Sequence, residues 1–168
     1  MTFHTEQKAL EDAFRNAMRR HASTVAIITT GDESQWVGMA ATAVSSVSSD
    51  PPTLLIVVNR AASLATALQA RKKFCVNLLA ERHKDLVSAF GGKLKGQDRF
   101  KVGEWRLTPD GLPTLVDALA SLACETVQVV GAATHDIYVG RVVGVTVHPD
   151  IDPLVWMDGR IATIMDHM

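Results

Sequence analysis

Short gaps between β-rich segments constrain the fold of this chain more than any other feature. Only three short helical patterns interrupt the succession of β-branched and apolar segments. Parallel strands need a crossover of a dozen residues or more, whereas antiparallel strands can be joined by a tight turn. The sequence therefore predicts an antiparallel barrel with a few short helices rather than a doubly wound sheet. Strands are predicted at residues 24–30, 35–43, 54–58, 73–79, 118–130, 137–147 and 154–157, and helices at residues 6–21, 64–71 and 82–90.

Two local patterns add detail to this prediction. Leu10, Phe14 and Met18 belong to an apolar stripe in residues 6–21, which predicts a helix packed on the outside of the core. Gly140 and Gly144 interrupt the strand predicted at residues 137–147, where glycine commonly marks a bulge or a bend. The length of 168 residues predicts one domain, residues 1–168, with a sizeable core.

The charge of the chain bounds the partners that we expect. The formal net charge is −1, so nothing overall indicates a nucleic-acid binder. Residues 71–101 hold nine Lys/Arg against three Asp/Glu, and residues 102–168 hold three against nine. This imbalance is typical of two solvated faces, and it would also suit a rim that attracts an anionic ligand such as a dinucleotide.

The cysteines and the amino-terminal sequence predict a reducing environment. Cys75 and Cys124 both lie in apolar runs, so we expect buried, reduced thiols, and no Cys/His spacing predicts a metal site. The first residues contain no signal-peptide pattern, and no apolar run reaches membrane length. We therefore expect a soluble, cytoplasmic protein with no membrane partner.

Residues 41–52 are the most informative stretch for function. Small and hydroxyl side chains fill this segment, Pro51 and Pro52 end it, and predicted strands lie on both sides. We interpret it as a crossing between buried strands that could hydrogen-bond a neutral polar ring or a phosphate. It does not suit nucleophilic catalysis, because it contains no histidine and no glycine elbow around a serine. No GxGxxG follows a predicted strand, so a Rossmann-type nicotinamide site is not indicated.

Two further segments have a functional and a plain interpretation. Residues 59–63 lead into a helix, and free N–H groups beside Arg60 could bind a phosphate, although an ordinary helix cap would look the same. Residues 93–104 form a charged, poorly periodic segment that contains Arg99 and Phe100. A segment of this kind is either a binding loop or a solvated linker.

Several motifs resemble the short-chain flavin reductases, the NADH-dependent reductase components of two-component flavin monooxygenases. The resemblance spans roughly residues 14–161 and rests on many short motifs in the right order rather than on a single decisive one. These motifs are Ala41–Ser48 with Asp50-Pro51-Pro52, Asn59-Arg60-Ala61-Ala62-Ser63, Phe74–Leu79, Phe90-Gly91-Gly92, Arg99-Phe100, Ala123-Cys124-Glu125, Val139–Val142, Pro153-Leu154 and Gly159-Arg160.

The resemblance implies a six-stranded antiparallel Greek-key split barrel that forms a homodimer and binds FMN or FAD. NADH or NADPH would donate the hydride. The flavin-binding residues that it implies are Ala41, Thr42, Ala43, Val44, Ser45, Ser46, Ser48, Asp50, Pro51, Asn59, Arg60, Ala61, Ser63, Phe90, Arg99 and Phe100. Within this set, Ser48, Asp50, Arg60 and Ser63 are expected toward the ribityl–phosphate end of the flavin.

For the nicotinamide, the resemblance implies contacts with His135, Tyr138, Trp156 and Arg160. His135 is also the one candidate for a catalytic role, in protonation of the reduced flavin. The chain departs from the family pattern at two places. Ala133-Thr134 precede His135 where the family has Gly-Asp, and Ile161 replaces an aromatic residue, for which Trp156 or Tyr138 could substitute.

Three functions follow from these residues. The first is an NAD(P)H:flavin oxidoreductase that supplies reduced flavin to a partner monooxygenase. The second is a flavoprotein that keeps FMN bound and reduces another acceptor, such as the cobalt of a corrin on the cobalamin pathway. The third is a barrel that binds flavin without catalysis. The residues leave open FMN or FAD, NADH or NADPH, and the physiological acceptor.

Overall fold

Antiparallel strands dominate the computed structural model, which describes residues 3–164 of the chain. Within these residues there are three α-helices: α1 Phe3–Met18, α2 Ser63–Arg71 and α3 Lys84–Ser88. The strands are β1 Ser23–Thr24, β2 Ala26–Gly31, β3 Trp36–Ala41, β4 Val44–Ser49, β5 Pro52–Asn59, β6 Lys73–Leu78, β7 Trp105–Leu107, β8 Pro113–Leu115, β9 Ala120–Ala132, β10 His135–Val147, β11 Val155–Met157 and β12 Arg160–Ala162. Two 3₁₀ turns, Glu81–His83 and Gly96–Lys101, and one π-helical turn, Ala89–Lys93, complete the description.

The main sheet has seven strands in the order β3-β2-β6-β9-β10-β5-β4, and every neighbouring pair is antiparallel. Its two edges, β3 and β4, are consecutive in the chain and are separated only by Thr42 and Ala43. The sheet must therefore curl until its edges meet at this connection. Side chains of β2, β5, β6, β9, β10 and α2 fill one buried cluster, and residues of both edge strands pack against it. The predicted antiparallel barrel is confirmed, and its split lies between β3 and β4.

The main sheet has one strand more than the six-stranded barrel that the resemblance implies, because the serine-rich stretch is itself a strand. Val44 and Ser45 pair with Ile56 and Leu55 of β5, and the register shifts after Ser46. The segment lacks apolar alternation, so the sequence pattern did not predict a strand there. The free edge of β5 supplies the backbone partners instead, and β4 remains an exposed edge strand.

The two larger clusters of the core lie on opposite faces of the sheet, and a small third one consists of Cys75, Leu112 and Ala123. Phe74, Tyr138 and Leu68 belong to the cluster inside the barrel. Leu86 and Phe90 belong to a second cluster outside it, where α3, the π-helical turn and the hairpins β7–β8 and β11–β12 cover the strands. Burial of each large apolar side chain contributes about 1.5–3 kcal/mol. The outer cluster is therefore a second core that fixes the elements around it.

Helix α1 forms as predicted but does not pack on the core. The side chains of its apolar stripe remain open to solvent, with Leu10 71% exposed, Phe14 63% exposed and Met18 49% exposed. The periodicity predicted the helix correctly, because a spacing of four aligns apolar residues on one face. It could not identify what covers that face, and nothing within residues 3–164 does.

A buried asparagine ties the β7–β8 hairpin to the barrel. The Asn77 carboxamide oxygen accepts hydrogen bonds from the Leu115 backbone N–H at 2.9 Å, the Ser121 hydroxyl at 3.0 Å and the Thr114 hydroxyl at 3.1 Å. Its amide nitrogen donates to the backbone oxygen of Ile27 at 3.1 Å. Asn77 is fully buried, so every one of these bonds replaces lost water. The network fixes β8 against β2, β6 and β9.

The two cysteines are free and buried, which confirms the prediction from their apolar surroundings. Burial raises the pKa of the Cys75 thiol to about 11 and that of the Cys124 thiol to about 12. At neutral pH both are therefore protonated core side chains rather than nucleophiles.

Both predicted bulge glycines mark shifts in the pairing of β9 and β10. The register changes between Val139 and Gly140 and again between Val142 and Gly144. A Cβ atom at Gly140 would lie 2.5 Å from Cζ of Phe74 and 3.0 Å from Cβ of Cys124, whereas one at Gly144 would lie 3.6 Å from its nearest neighbour. Gly140 therefore permits the closest packing of β10 against Phe74.

We expect Gly140→Ala to lower the free energy of unfolding by about 1–3 kcal/mol, because the added methyl group overpacks the core at Phe74. Gly144→Ala is the matched control and should change that free energy by no more than about 0.5 kcal/mol. Both substitutions restrict the unfolded chain equally, so the difference isolates the steric clash. Urea denaturation of the two variants measures it, and equal midpoints would contradict the packing described at Gly140.

Candidate functional site

The cavity most suited to a planar ligand lies against the outer face of the barrel, where β3 turns into β4. Its volume is about 650 Å³, within the range of small-molecule and cofactor sites. One wall is the end of β3, the opposite walls are the hairpin β11–β12 and helix α3, and the π-helical turn closes it. The lining residues are Val25, Ala40, Ala41, Thr42, Lys84, Val87, Ser88, Gly91, Lys93, Trp156 and Ile161.

The cavity combines apolar walls with a polar rim. Trp156 and Ile161 are cross-strand partners on β11 and β12, and they face the alanines at the end of β3. Lys84 is held by Glu81, with Nζ 2.9 Å from Oε1. The ammonium of Lys93 has no ion-pair partner among residues 3–164, so it is a free cation beside the cavity. This arrangement suits a flat, largely apolar ring that carries a polar edge and an anionic substituent.

Part of the predicted flavin segment reaches this cavity. Ala41 and Thr42 line it, and Trp156, predicted for the nicotinamide, lines the opposite wall. Ala43 and Val44 contribute backbone bonds beside it, because the N–H of Val57 donates to the Ala43 oxygen at 3.1 Å. The structure thus brings together residues that lie more than a hundred positions apart in the chain.

The remaining residues of the segment run away from the cavity along β4. Ser45, Ser46, Ser48, Asp50 and Pro51 are all exposed. The Ser48 hydroxyl donates to the backbone oxygen of Asp50 at 3.0 Å, which is a local turn contact. These hydroxyls are accessible to a ligand, but they do not form the enclosed cradle that the sequence predicted.

The two ends of the predicted ribityl–phosphate site lie at opposite ends of one strand. Ser48 and Asp50 flank the start of β5, whereas Asn59 and Arg60 follow its end. Asn59 follows Pro52 by seven positions, which corresponds to about 23 Å of extended strand. The structure does not bring these residues together on one chain, and their shared contact with the ribityl–phosphate end of the flavin stays a prediction.

In the described chain Arg60 has a structural role, because its guanidinium joins the end of β5 to the β9–β10 turn. Its Nε donates to Oδ1 of Asp136 at 2.7 Å, and its Nη1 donates to the backbone oxygen of Ala133 at 2.7 Å. The Asp136 side chain is only 11% exposed, so Arg60 balances a nearly buried carboxylate at the β9–β10 turn. Asn59 acts locally as well, since its side-chain oxygen accepts the N–H of Ala61 at 2.9 Å.

The predicted phosphate-binding helix terminus lies apart from the main cavity. Ala62, not Ser63, is the N-cap of α2, and its methyl side chain makes no capping hydrogen bond. Ser63 and Arg99 line a smaller cavity of about 390 Å³ beside Trp36 and Gly38. The Arg99 guanidinium hydrogen-bonds the backbone there: Nη1 donates to the Gly38 oxygen at 2.6 Å and Nε to the Leu94 oxygen at 2.9 Å.

Phe90 and Phe100 stabilise the outer core rather than line the cavity. The two rings meet edge to face with centroids 5.1 Å apart, and both contact Trp105. Phe90 is 1% exposed, so its side chain does not line the cavity, and its predicted flavin contact stays a prediction. The Phe-Gly-Gly motif nevertheless reaches the site through its next residue, Gly91.

The four residues predicted for the nicotinamide do not form one site on this chain. Tyr138 is 1% exposed inside the barrel, and burial raises the pKa of its phenol, so its predicted nicotinamide contact is wrong. His135 begins β10, with its Nδ1 2.9 Å from the Thr134 hydroxyl, and does not line the cavity. Arg160 lies on the opposite side of the β11–β12 hairpin from Trp156.

The sequence did not predict most residues of the cavity rim. Lys84, Val87 and Ser88 belong to a helix that was predicted only as a packing element, and Lys93 was assigned to a charged loop. A usable signal was present, because Gly91 and Lys93 directly follow the Phe90 motif. Within residues 3–164 no helix has the length and apolar character of a membrane span, and no cluster of three potential metal ligands occurs.

We expect Arg60→Gln to lower the free energy of unfolding by about 1–3 kcal/mol, because it leaves the nearly buried Asp136 carboxylate without its partner. The double variant Arg60→Gln/Asp136→Asn should recover part of that loss, since no charge then remains to be paired. Chemical denaturation measures both effects. Loss of flavin affinity with unchanged stability would instead show that Arg60 binds the ligand directly.

Comparison with known proteins places this architecture in a family. The model of the "Flavin reductase like domain" family matches residues 18–165. The FMN reductase (NADH) RutF of Cronobacter sakazakii is 41% identical over 150 residues, which cover 89% of this chain and 90% of that protein.

Two solved structures share the fold. The NADH:FAD oxidoreductase SgcE6 of Streptomyces globisporus aligns with a TM-score of 0.85 at 27% identity over 91% of this chain and 92% of its own. BorF, the flavin reductase component of a bacterial two-component tryptophan halogenase, aligns with a TM-score of 0.85 at 26% identity. The alignment covers 94% of this chain and 99% of BorF. With the matched domain and the split barrel in agreement, this chain belongs to the flavin reductase-like family.

Proposed function

We propose that this protein is an NAD(P)H:flavin oxidoreductase that binds the isoalloxazine ring of FMN, or of FAD, in the cavity beside Thr42 and Trp156. The observation that carries the proposal is the cavity itself, which joins apolar walls to a free cation at the end of the family's flavin-contacting segment. The RutF protein of Cronobacter sakazakii, named FMN reductase (NADH), aligns over 89% of this chain and 90% of its own length, which supports this activity.

The residues around the cavity fit the chemistry of a flavin. Bound flavin would accept a hydride from the nicotinamide, so the chain itself needs no nucleophile. Trp156, Ile161 and Ala40 supply the apolar walls that exclude water from the ring. The Thr42 hydroxyl is available for the polar ring edge, and Lys93 provides positive charge for the phosphate. The exposed hydroxyls of Ser45 and Ser46 continue from Thr42 along β4.

An open rim fits a protein that passes reduced flavin to a partner oxygenase. BorF is the reductase component of a two-component halogenase, and this chain would act in the same way with a partner monooxygenase. We also propose a cytoplasmic location, because both thiols are free and buried. No contact in the structure favours a corrin acceptor or a barrel without catalysis.

A second copy of the chain is the proposed partner for the exposed valines of β9 and β10. Val127 and Val129 lie toward one end of this strand pair and Val143, Val145 and Val147 toward the other, and each is between 47% and 70% exposed. Exposed apolar patches of this kind mark interaction surfaces, and symmetric dimers are the commonest solution. Because His135 lies outside the cavity of its own chain, its contact with a nicotinamide would have to be made across such a dimer.

We expect Gly91→Leu to weaken FMN binding about tenfold or more, because a Cβ atom at Gly91 meets nothing within 4 Å and the longer side chain would enter the cavity. Ala70→Leu, at an exposed position of α2, is the control. Flavin fluorescence titration measures the affinity.

NADH oxidation by the wild-type protein, with FMN, FAD or a corrin as acceptor, measures the proposed activity. A wild-type protein that leaves NADH unoxidised would refute the proposed function.

We expect Val127→Glu/Val129→Glu or Val145→Glu/Val147→Glu to convert a dimer into monomers, because two like charges would be buried at the interface. Val47→Glu, at an exposed valine of β4, is the matched control and should remain dimeric. Light scattering coupled to size-exclusion chromatography gives the mass. A wild-type monomer, or dimers of all variants, would contradict the proposed interface.

A further inference from the structure

A second cavity lies on the other side of the β11–β12 hairpin from the flavin cavity. Its volume is about 620 Å³, and the end of α1 forms the facing wall. We call it the arginine cavity, because Arg19, Arg20 and Arg160 line it together with one carboxylate, Asp158. The remaining lining residues are Asn16 and Met157.

One of the three arginines is structural. Nε of Arg19 donates to Oδ1 of Asp158 at 2.8 Å, and its Nη2 donates to the backbone oxygen of Asp158 at 3.2 Å. The N–H of Asp158 donates in return to the Arg19 oxygen at 2.8 Å. The Arg19 guanidinium beside it lowers the pKa of Asp158, so this carboxylate is charged. Arg19 thus joins the end of α1 to the turn of the hairpin.

The other two arginines leave the cavity with a positive excess. Arg20 donates from Nη1 to the backbone oxygen of Asn16 and forms no ion pair with a carboxylate among residues 3–164. The Arg160 backbone pairs with Met157, but its side chain makes no hydrogen bond or ion pair within the described chain, and the charges of Arg160 and Arg20 only add to the lowering of the Asp158 pKa. Three guanidinium groups therefore face one carboxylate, which leaves two positive charges for an external anion. Guanidinium groups present paired donors that match the oxygens of a phosphate.

The hairpin connects the two cavities through the alternation of its side chains. Trp156 and Ile161 are cross-strand partners and face the flavin cavity. The next pair, Met157 and Arg160, faces the arginine cavity. Since successive residues of a strand point to opposite faces, only the thickness of one β-hairpin separates the sites. A ligand with a ring at one end and phosphates further along is long enough to reach across the hairpin edge.

We propose that the arginine cavity binds the phosphate groups of a dinucleotide whose other end occupies the flavin cavity. This inference rests on the proposed function and assigns Arg20 and Arg160 to the anionic part of that ligand. The phosphates belong either to the nicotinamide dinucleotide that donates the hydride or to FAD. Arg19 positions the hairpin and is not part of the proposed contact.

The test is the double variant Arg20→Gln/Arg160→Gln, with Arg19 left intact to hold the hairpin. Each lost charge-assisted hydrogen bond weakens binding about tenfold, so KM for NADH should rise about tenfold to a hundredfold where the cavity holds the phosphates of the hydride donor. The rate constant kcat and the Kd of FMN should remain within about twofold of wild type. Arg106→Gln, at an exposed arginine of β7, is the control for loss of one surface charge. Added salt should raise KM in the wild type more than in the variant.

The same double variant distinguishes the two possible sources of the phosphate groups. If the donor uses the cavity, KM for NADH rises and the ratio of FAD to FMN affinity stays constant. If FAD uses it, FAD affinity falls toward that of FMN while KM for NADH with FMN is unchanged. Either result supports the cavity as a phosphate site. Unchanged KM together with an unchanged FAD-to-FMN ratio, or the same changes in Arg106→Gln, would overturn it.

A binding measurement without turnover separates this inference from the proposed function. ADP carries a pyrophosphate but no nicotinamide and no flavin, and calorimetric titration into the full-length protein gives its Kd directly. We expect wild type to bind ADP and the double variant to bind it about tenfold more weakly or worse. Equal ADP affinities would refute the phosphate site even in an active reductase. An inactive protein that still shows this difference would refute only the reductase activity.

Discussion

The hydrogen-bonded carboxamide of Asn77 is the interaction on which the arrangement around the cavity at the end of β3 depends. Its oxygen accepts three bonds from Thr114, Leu115 and Ser121, and leaving any of these buried groups unpaired would cost about 1–3 kcal/mol. The network therefore selects one position for β8 on the barrel. Leu115 then packs in the outer cluster with Leu86, and α3 carries the cavity rim. A polar contact in the core thus sets a ligand site that it does not touch.

The sequence predicted the parts of the fold that follow from local periodicity. Apolar strands, the antiparallel order and the bulges at Gly140 and Gly144 all have local signals, because glycine and β-branched residues act through the backbone they occupy. Strand β4 has no such signal, since its pairing comes from the unpaired edge of β5 rather than from its own serines. The exposure of Leu10 on α1 shows the same limit, because amphipathicity defines a face but not the surface that covers it.

The candidate site was predictable only where chain neighbours stay together. Thr42 lines the cavity as expected, but its opposite wall comes from Trp156 and its rim from Lys93, and only the tertiary fold brings these together. Arg60 shows why a charged residue next to a motif is ambiguous. In the sequence Arg60 resembles a phosphate-binding residue, whereas in the fold it forms an ion pair with the nearly buried carboxylate of Asp136. Whether a cation is free for a ligand depends on partners that lie far away in the chain.

The division of charged groups between the two faces of β11–β12 fits hydride transfer between two carriers. Such a reaction needs the rings held in an apolar environment, and it needs the phosphates anchored where charge does not have to be desolvated. The cavity proposed for the flavin has Trp156 and Ile161 as its hairpin wall, whereas Arg160 lines the cavity on the other face. The alternation of side chains along a three-residue strand is sufficient to place the apolar wall on one face of the hairpin and the charged groups on the other. The described residues that line the cavity beside Trp156 include no His, Asp, Glu or Cys, which is consistent with a site whose residues bind and orient while the cofactors carry the chemistry.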